Sequence, residues 1–157
     1  MYDFNVDEVF EMAEQIERNG ARFYRNAADS VPDTEGKKLL NDLAGMEDEH
    51  EKTFANLRKN LKSGDKKNTV FDPTDEAGLY LRALADTRVF FEKEMDLSSM
   101  KSILKGAIIA EKDSIVFYLG MKEAVPEEFG KARIEAIIKE EMGHIKLLSG
   151  KLVAVNP

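Results

Sequence analysis

Apolar side chains recur every three or four residues over four long stretches of this chain. That spacing is typical of helices that bury one face against their neighbours. It predicts helix A from about Asn5 to Asp29, helix B from about Asp33 to Lys62, helix C from about Ser99 to Ala124 and helix D from about Glu127 to Ser149. Asn5 followed by Glu8 three residues later is also typical of a helix N-terminus.

The segment between helices B and C is much longer than the other two connections. It begins with the polar run 63–68, which predicts a mobile loop, and continues past Pro73 into an extra helix from about Asp75 to Glu92. Two short connections and one long B–C crossover predict an all-α fold, a four-helix bundle. At 157 residues the chain fits a single domain, residues 1–157.

Three polar residues interrupt the apolar stripe in the first half of the chain, and the same three return 94 positions later. They are a glutamate on the first helix of each half and a Glu-x-x-His motif on the second: Glu17, Glu47 and His50, then Glu111, Glu141 and His144. The same offset relates residues without obvious chemistry, such as Val31-Pro32 and Val125-Pro126. A duplicated helical hairpin explains this repeat, and its two copies should pack together as one closed bundle.

The six repeated residues form a candidate site for two metal ions. Residues three apart on a helix point the same way, so each Glu-x-x-His pair can reach one metal, and Glu17 and Glu111 can complete the coordination. A single Glu-x-x-His on a solvated helix face would be an ordinary surface pair. Here the two copies contain the only histidines of the chain and lie on the apolar seam, where unpaired carboxylates are costly. Carboxylates and imidazoles without thiolate favour iron or manganese at both positions.

Other residues close to these motifs carry weaker signals. Tyr24 and Tyr118 lie two helical turns beyond Glu17 and Glu111 on the same faces, where they can contact a ligand carboxylate or relay an electron. The alternative is a core tyrosine whose hydroxyl finds any nearby acceptor. The acidic residues flanking the motifs point off the seam and are expected to be solvated: Asp48, Glu49, Glu51 and Glu140. Met46 and Met142 are expected to fill gaps in the core.

Composition limits the partners and the location. With 23 basic and 30 acidic residues the net charge is -7, which disfavours nucleic acid and anionic membranes as partners. The absence of cysteine excludes disulfides, thiolate redox centres and cysteine-ligated iron–sulfur clusters. No apolar stretch approaches the roughly 20 residues of a membrane span, and the acidic N-terminus lacks the features of a signal peptide. We therefore expect a cytoplasmic protein.

The motif segments resemble those of the rubrerythrin-type, ferritin-like di-iron carboxylate proteins. Residues 16–24, 47–50, 111–118 and 141–144 carry the resemblance, which covers nearly all of the chain outside the crossover. It implies a ferritin-like bundle and a di-iron site that reacts with hydrogen peroxide or dioxygen. Full-length rubrerythrins also have a rubredoxin domain whose four cysteines deliver electrons, so this chain would need a separate electron-donor redox protein. The family's extra glutamate, three residues after the ligand on helix C, is replaced here by Ser114.

Four functions are compatible with these residues. The leading hypothesis is a di-iron oxidoreductase that acts on peroxide or dioxygen with electrons from an external donor. Non-enzymatic iron binding or storage, a dimanganese catalase, and a structural or partner-binding bundle are the alternatives. A homodimer is predicted because apolar residues of the crossover can be buried against the bundle or against a second chain: Leu79, Leu84, Phe90 and Phe91.

Overall fold

Five α-helices and one short 3₁₀ turn make up the part of the chain that the computed structural model describes, residues 5–62, 76–86 and 94–155. The helices are α1 (Val6–Ser30), α2 (Thr34–Lys59), α3 (Glu76–Asp86), α4 (Met100–Ala124) and α5 (Lys131–Val155), and the 3₁₀ turn is Glu127–Phe129. The predicted helices A, B, C and D correspond to α1, α2, α4 and α5, so the all-α fold class is confirmed. None of the helices within these described ranges is long and apolar enough to cross a membrane.

Side chains cap the N-termini of three of the long helices. Asn5 Oδ1 accepts a hydrogen bond from the Glu8 backbone N–H, and the Glu8 carboxylate accepts one from the Asn5 N–H, both at 2.9 Å. Asp33 and Ser99 cap α2 and α4 by accepting from the backbone N–H three residues later, at 2.7 and 3.1 Å. Each bond satisfies an amide that the first helical turn leaves unpaired. The predicted cap at Asn5 is therefore confirmed.

The predicted start of helix D at Glu127 is wrong. Residues Glu127–Phe129 form the 3₁₀ turn, and α5 begins only at Lys131. Gly130 separates the two with a φ of 103°, a left-handed conformation that interrupts the helix and is unfavourable for residues with a Cβ. A Cβ at this position would also lie 2.5 Å from Leu57 Cδ2 on α2. Two predicted helix ends also differ from the structure. Helix α2 ends at Lys59, slightly earlier than predicted, and α5 ends at Val155, slightly later than predicted.

The two hairpins of the repeat are α1–α2 and α4–α5. Only residues 31–33 separate α1 from α2, so the two helices run antiparallel and pack along their lengths, as α4 and α5 also do. The crossover helix α3 packs on α4, where Leu81 is buried and the Tyr80 hydroxyl donates to the Val116 carbonyl at 2.9 Å. The predicted loop at 63–68 and the end of the predicted crossover helix, 87–92, lie outside the described residues.

Two apolar clusters form the core, one toward each end of the bundle. The first includes Phe10 from the beginning of α1 and Phe54 from the end of α2. The second includes Leu40 from the beginning of α2 and Leu104 from the beginning of α4. All four side chains are completely buried. The middle of the bundle, between the clusters, is left for a layer of polar side chains.

Candidate metal centre

Buried glutamate and histidine side chains fill this middle layer. Each of the four long helices contributes to it: Glu17 from α1, Glu47 and His50 from α2, Glu111 from α4, and Glu141 and His144 from α5. The most exposed of the six, His144, retains only 6% of its accessibility. The structure thus brings together all six residues that the sequence repeat singles out.

The six side chains form two overlapping groups. The first group is Glu17, Glu47, His50 and Glu141, and the second is Glu47, Glu111, Glu141 and His144. Within each group, one potential ligand atom from every residue lies within 4.8 Å of the others. The sequence interpretation assigned each Glu-x-x-His pair to its own metal. In the structure Glu47 and Glu141 belong to both groups, whereas Glu17 and Glu111 each belong to one.

The Nδ1 atom of each histidine points into the cluster. His50 Nδ1 lies 3.2 Å from Glu141 Oε1 and 3.5 Å from Glu17 Oε2. His144 Nδ1 lies 2.8 Å from Glu141 Oε2 and 3.4 Å from an oxygen of each of two further carboxylates. The two imidazole rings are nearly parallel, 20° apart in tilt, with centroids separated by 5.7 Å. The centre therefore has the approximate twofold arrangement that the repeat predicts.

Burial and neighbouring charges divide the four carboxyl groups into two pairs. Burial raises the pKa of Glu17 and of Glu111 well above the ordinary value, and other carboxylates of the cluster add to the effect. Burial acts on Glu47 and Glu141 as well, but hydrogen bonds outweigh it and lower the pKa of both. For Glu47 the partners are Glu17 and then the two histidines, and for Glu141 they are the two histidines and then Glu111. Without a metal, Glu17 and Glu111 should therefore be neutral while Glu47 and Glu141 are ionised.

Both histidines should carry a positive charge when no metal is bound. Burial by itself would lower their pKa values, but the surrounding carboxylates outweigh it. They raise the pKa of His144 to about 12, and they raise the pKa of His50 well above its usual range. Two imidazolium cations then balance the two ionised carboxylates. The metal-free cluster is thus expected to be neutral overall.

Within the described structure, several buried polar atoms of the cluster have no hydrogen-bond partner. They are Glu17 Oε2, Glu47 Oε1, Glu141 Oε2 and His144 Nδ1. The short contact between the last two lacks the geometry of a hydrogen bond. An unsatisfied buried polar atom costs about 1–3 kcal/mol, and these atoms converge on a shared space that cations can occupy. The donor set, oxygens and imidazole nitrogens without thiolate, fits two divalent ions such as iron or manganese better than structural zinc.

Tyr24 and Tyr118 contact the glutamates of the opposite hairpin. The Tyr24 hydroxyl donates to Glu111, and the Tyr118 hydroxyl donates to Glu17. Burial and the nearby carboxylates raise the pKa of both phenols well above the ordinary value, so both hydroxyls keep their protons and remain donors. The sequence indicated that each could contact a ligand carboxylate, but it could not indicate that the two contacts cross between the halves.

Glu140 is a site residue that the sequence interpretation missed. It was expected to be solvated, and 62% of its side chain is exposed, yet its Oε2 lies 2.6 Å from His50 Nε2. The other flanking acids behave as expected for surface residues, since Asp48 and Glu51 pair with Arg25 and Arg18. No local signal distinguishes Glu140 from them, because its partner lies on α2.

The two methionines next to the motifs do not fill the core. Met46 is 45% exposed and Met142 is 52% exposed, so the packing expectation is wrong for both. Each directly neighbours a buried glutamate of the cluster, and consecutive residues on a helix point about 100° apart. The methionines consequently leave the seam and face outward.

Comparison with known proteins identifies the fold. No protein-family model matches the chain, and no curated protein matches it significantly. Among solved structures the chain is similar to a protein from Thermotoga maritima that is provisionally described as a ferritin-like diiron-carboxylate protein. The TM-score is 0.69 at 23% sequence identity, and the match covers 95% of each chain. The chain therefore has the ferritin-like four-helix fold, with its buried carboxylate and histidine cluster at the centre of the bundle.

Proposed function

We propose that this protein is a rubrerythrin-type di-iron oxidoreductase. In this proposal the two overlapping groups bind two iron ions, and the loaded protein reduces hydrogen peroxide or reacts with dioxygen. Electrons come from a separate redox protein, because the 157 residues contain no cysteine for a centre of their own.

The convergence of unpaired buried atoms carries this proposal. Four carboxylates and two imidazoles occupy one buried layer, and several of their atoms have no partner among the described residues. A structural bundle would gain stability by replacing such a layer with apolar side chains. Two bound cations would explain why this buried layer is polar. The Thermotoga maritima neighbour, whose description names a diiron-carboxylate protein, supports iron as the metal.

The side chains of the cluster would have different roles in binding the ions. Iron supplies a reversible change of oxidation state, which peroxide or dioxygen reduction needs. The residues that would hold it are Glu17 and His50 on one side, Glu111 and His144 on the other, and Glu47 and Glu141 between the two positions. Tyr24 and Tyr118 orient the outer glutamates by donating hydrogen bonds to them. The apolar clusters pack above and below the layer.

Elemental analysis of protein purified without chelators tests the metal site. We expect about two irons per folded chain, the stoichiometry of ferritin-like di-iron centres. Glu47→Ala should abolish binding at both positions, because Glu47 is shared. Glu49→Ala is the matched control, since this exposed residue on the same helix pairs with Lys52 across one turn and not with the cluster. A folded wild-type protein that takes up no metal would refute the proposal.

Turnover experiments test the reaction separately from the site. Peroxide consumption by the iron-loaded protein should depend on added reductant. Loss of peroxide without reductant, with oxygen release and manganese bound, would instead indicate a dimanganese catalase. Uptake of far more than two irons per chain would favour storage.

The predicted homodimer and cytoplasmic location remain predictions. Of the crossover residues considered for dimer contacts, Leu79 is 52% exposed and Leu84 packs partly against the core. Phe90 and Phe91 lie outside the described residues. Sedimentation velocity of the purified protein measures the oligomeric state directly, and a single species at the monomer mass would contradict the dimer.

A further inference from the structure

A pocket of about 310 Å³ lies beside the candidate metal centre. It is bounded by α1, by α4 and by the chain segment at residues 95–97. Gly20 and Ser114, which occupy equivalent positions of the repeat, are two of its small lining residues. The pocket therefore opens between the first helices of the two hairpins, where both halves have a small residue.

The pocket approaches the shared carboxylate of the metal centre. A Cβ added at Gly20 would lie 3.5 Å from Glu47 Cγ and 3.6 Å from Glu47 Oε2. Because Gly20 has no side chain, nothing of its own separates the pocket from this carboxylate. A molecule in the pocket would thus lie beside Gly20, on the side of α1 that faces Glu47.

The volume is too large for the small oxidants of the proposed reaction. A water molecule occupies about 30 Å³ in the liquid, and peroxide or dioxygen is of comparable size. Pockets for organic ligands begin at about 300 Å³. The size of this pocket therefore indicates an organic molecule rather than the oxidant.

The lining indicates the chemistry of that molecule. Phe23 and Leu97 give the pocket an apolar wall, which suits a hydrocarbon body. Arg22 brings a guanidinium group to the same pocket. Arg18 and Arg25, its neighbours along α1, form ion pairs, whereas Arg22 has none with any residue in the described ranges. A guanidinium group is suited to bind a carboxylate.

We propose that this pocket binds an organic monocarboxylate with an apolar body beside the metal centre. Arg22 is the one cationic residue among the described residues that line the pocket, so a second carboxylate on the ligand would have no cation to pair with there. This proposal rests on the proposed function in one respect: it assumes that the cluster beside the pocket binds metal. Binding itself requires only the pocket, so it can be measured whether or not metal is present.

Calorimetric titration with hexanoate tests the pocket, with hexanamide and adipate as comparison probes. Hexanoate should bind, and hexanamide should bind about tenfold more weakly, because it lacks the charge that pairs with Arg22. Adipate should also bind more weakly. Arg22→Gln should weaken hexanoate binding about tenfold, whereas Arg133→Gln, an exposed arginine on α5, should not change it. Ser114→Leu fills the pocket and should weaken all binding.

Two results would overturn the proposal. One is an absence of hexanoate binding in both metal-free and metal-loaded protein. The other is hexanoate binding that Arg22→Gln and Ser114→Leu leave unchanged, which would locate the ligand elsewhere. Because metal content is measured separately, a protein that binds hexanoate but no metal would refute the proposed function and not this pocket.

An independent observation concerns the symmetry of the centre. His50 Nδ1 faces the cluster, so its Nε2 faces outward and lies 2.6 Å from Glu140 Oε2. The equivalent position in the other half of the repeat is Met46, whose thioether is at best a weak acceptor. Among the described residues, all carboxylate contacts of His144 involve its Nδ1. The two histidines therefore differ in what holds their outer nitrogen.

We infer that Glu140 is a positioning residue that makes the two metal positions unequal. An imidazole whose outer N–H donates to a carboxylate is fixed in orientation and is a stronger ligand through its other nitrogen. The position next to His50 should accordingly bind metal more tightly than the position next to His144. This inference rests on geometry and the repeat alone, and it would hold for any divalent metal in the centre.

Titration of metal-free protein with Co²⁺, followed by calorimetry and visible absorption, tests the inference. Wild-type protein should bind in two resolved steps. Glu140→Ala should weaken the tighter step about 10–100-fold and leave the other in place, and Glu140→Gln, which keeps an acceptor oxygen, should weaken it less. Met46→Glu should strengthen the weaker step. Weakening of both steps alike by Glu140→Ala, or of neither, would overturn the inference.

Discussion

Metal binding should release protons from the cluster, because four of its six groups are expected to be protonated in the metal-free state. These groups are the two histidines and Glu17 and Glu111, whose pKa values are all raised. Imidazole and carboxyl groups must lose their protons to bind metal, so two divalent ions should displace about four protons. The charges then balance, since four carboxylates and two divalent ions sum to zero.

The sign of the pH dependence follows from the direction of these shifts. The raised pKa values favour the protonated form of each group near neutral pH, and the carboxylates around His144 raise its pKa to about 12. Metal ions compete with these protons, so affinity should increase as the pH rises. With four protons displaced by two ions, the product of the two binding constants should rise about 10⁴-fold per pH unit, or about 100-fold per ion.

Calorimetry in buffers of different ionisation enthalpy measures the number of protons released. The observed enthalpy of Mn²⁺ binding should depend linearly on the buffer enthalpy, with a slope of about four protons per two ions. Glu17→Gln removes one of the protonated groups and should reduce the slope by about one. A slope near zero, or an affinity that does not change between pH 6 and pH 8, would refute the reasoning, because the cluster would then be deprotonated before metal arrives.

Three further predictions concern stability, measured by urea denaturation. Tyr118→Phe removes the buried hydroxyl that donates to Glu17 and should lower the free energy of unfolding by about 1–3 kcal/mol; an unchanged value would mean that this hydrogen bond contributes nothing. Phe54→Ala empties a fully buried position and should cost about 3–5 kcal/mol, whereas a loss below about 1 kcal/mol would contradict the packing. Gly130→Ala introduces a Cβ at a positive φ and against Leu57, and should cost more than about 1 kcal/mol; full stability would argue against the observed turn.

The helices themselves follow largely from local signals. The spacing of apolar residues locates all four long helices, and Asn5 with Glu8 marks the start of α1. The beginning of α5 shows where such signals fail. Gly130 is the repeat equivalent of Gly36, yet Gly36 lies inside α2 while Gly130 adopts a positive φ. Similar local sequences thus adopt two different conformations. At Gly130, where φ is positive, Leu57 of α2 packs next to the glycine.

The candidate site, like the helices, could be predicted only in part from the sequence. The repeat and the seam positions were enough to select the six residues that the structure brings together. The exposed position of Glu140 gave no reason to select it, because its contact with His50 depends on how α5 lies against α2. The pocket beside Gly20 was equally hidden, since it is bounded by two helices from different hairpins and by the segment before α4.

The sequence by itself determined which side chains share the buried face of each helix, because helical periodicity fixes directions around a single axis. It therefore specified the four carboxylates and two imidazoles of the centre. Only the tertiary structure decided that Glu47 and Glu141 are shared and that the tyrosines cross between hairpins. Contacts between side chains of different helices depend on how each helix is rotated about its axis and shifted along it. Both are set by the packing of complete helix surfaces against one another.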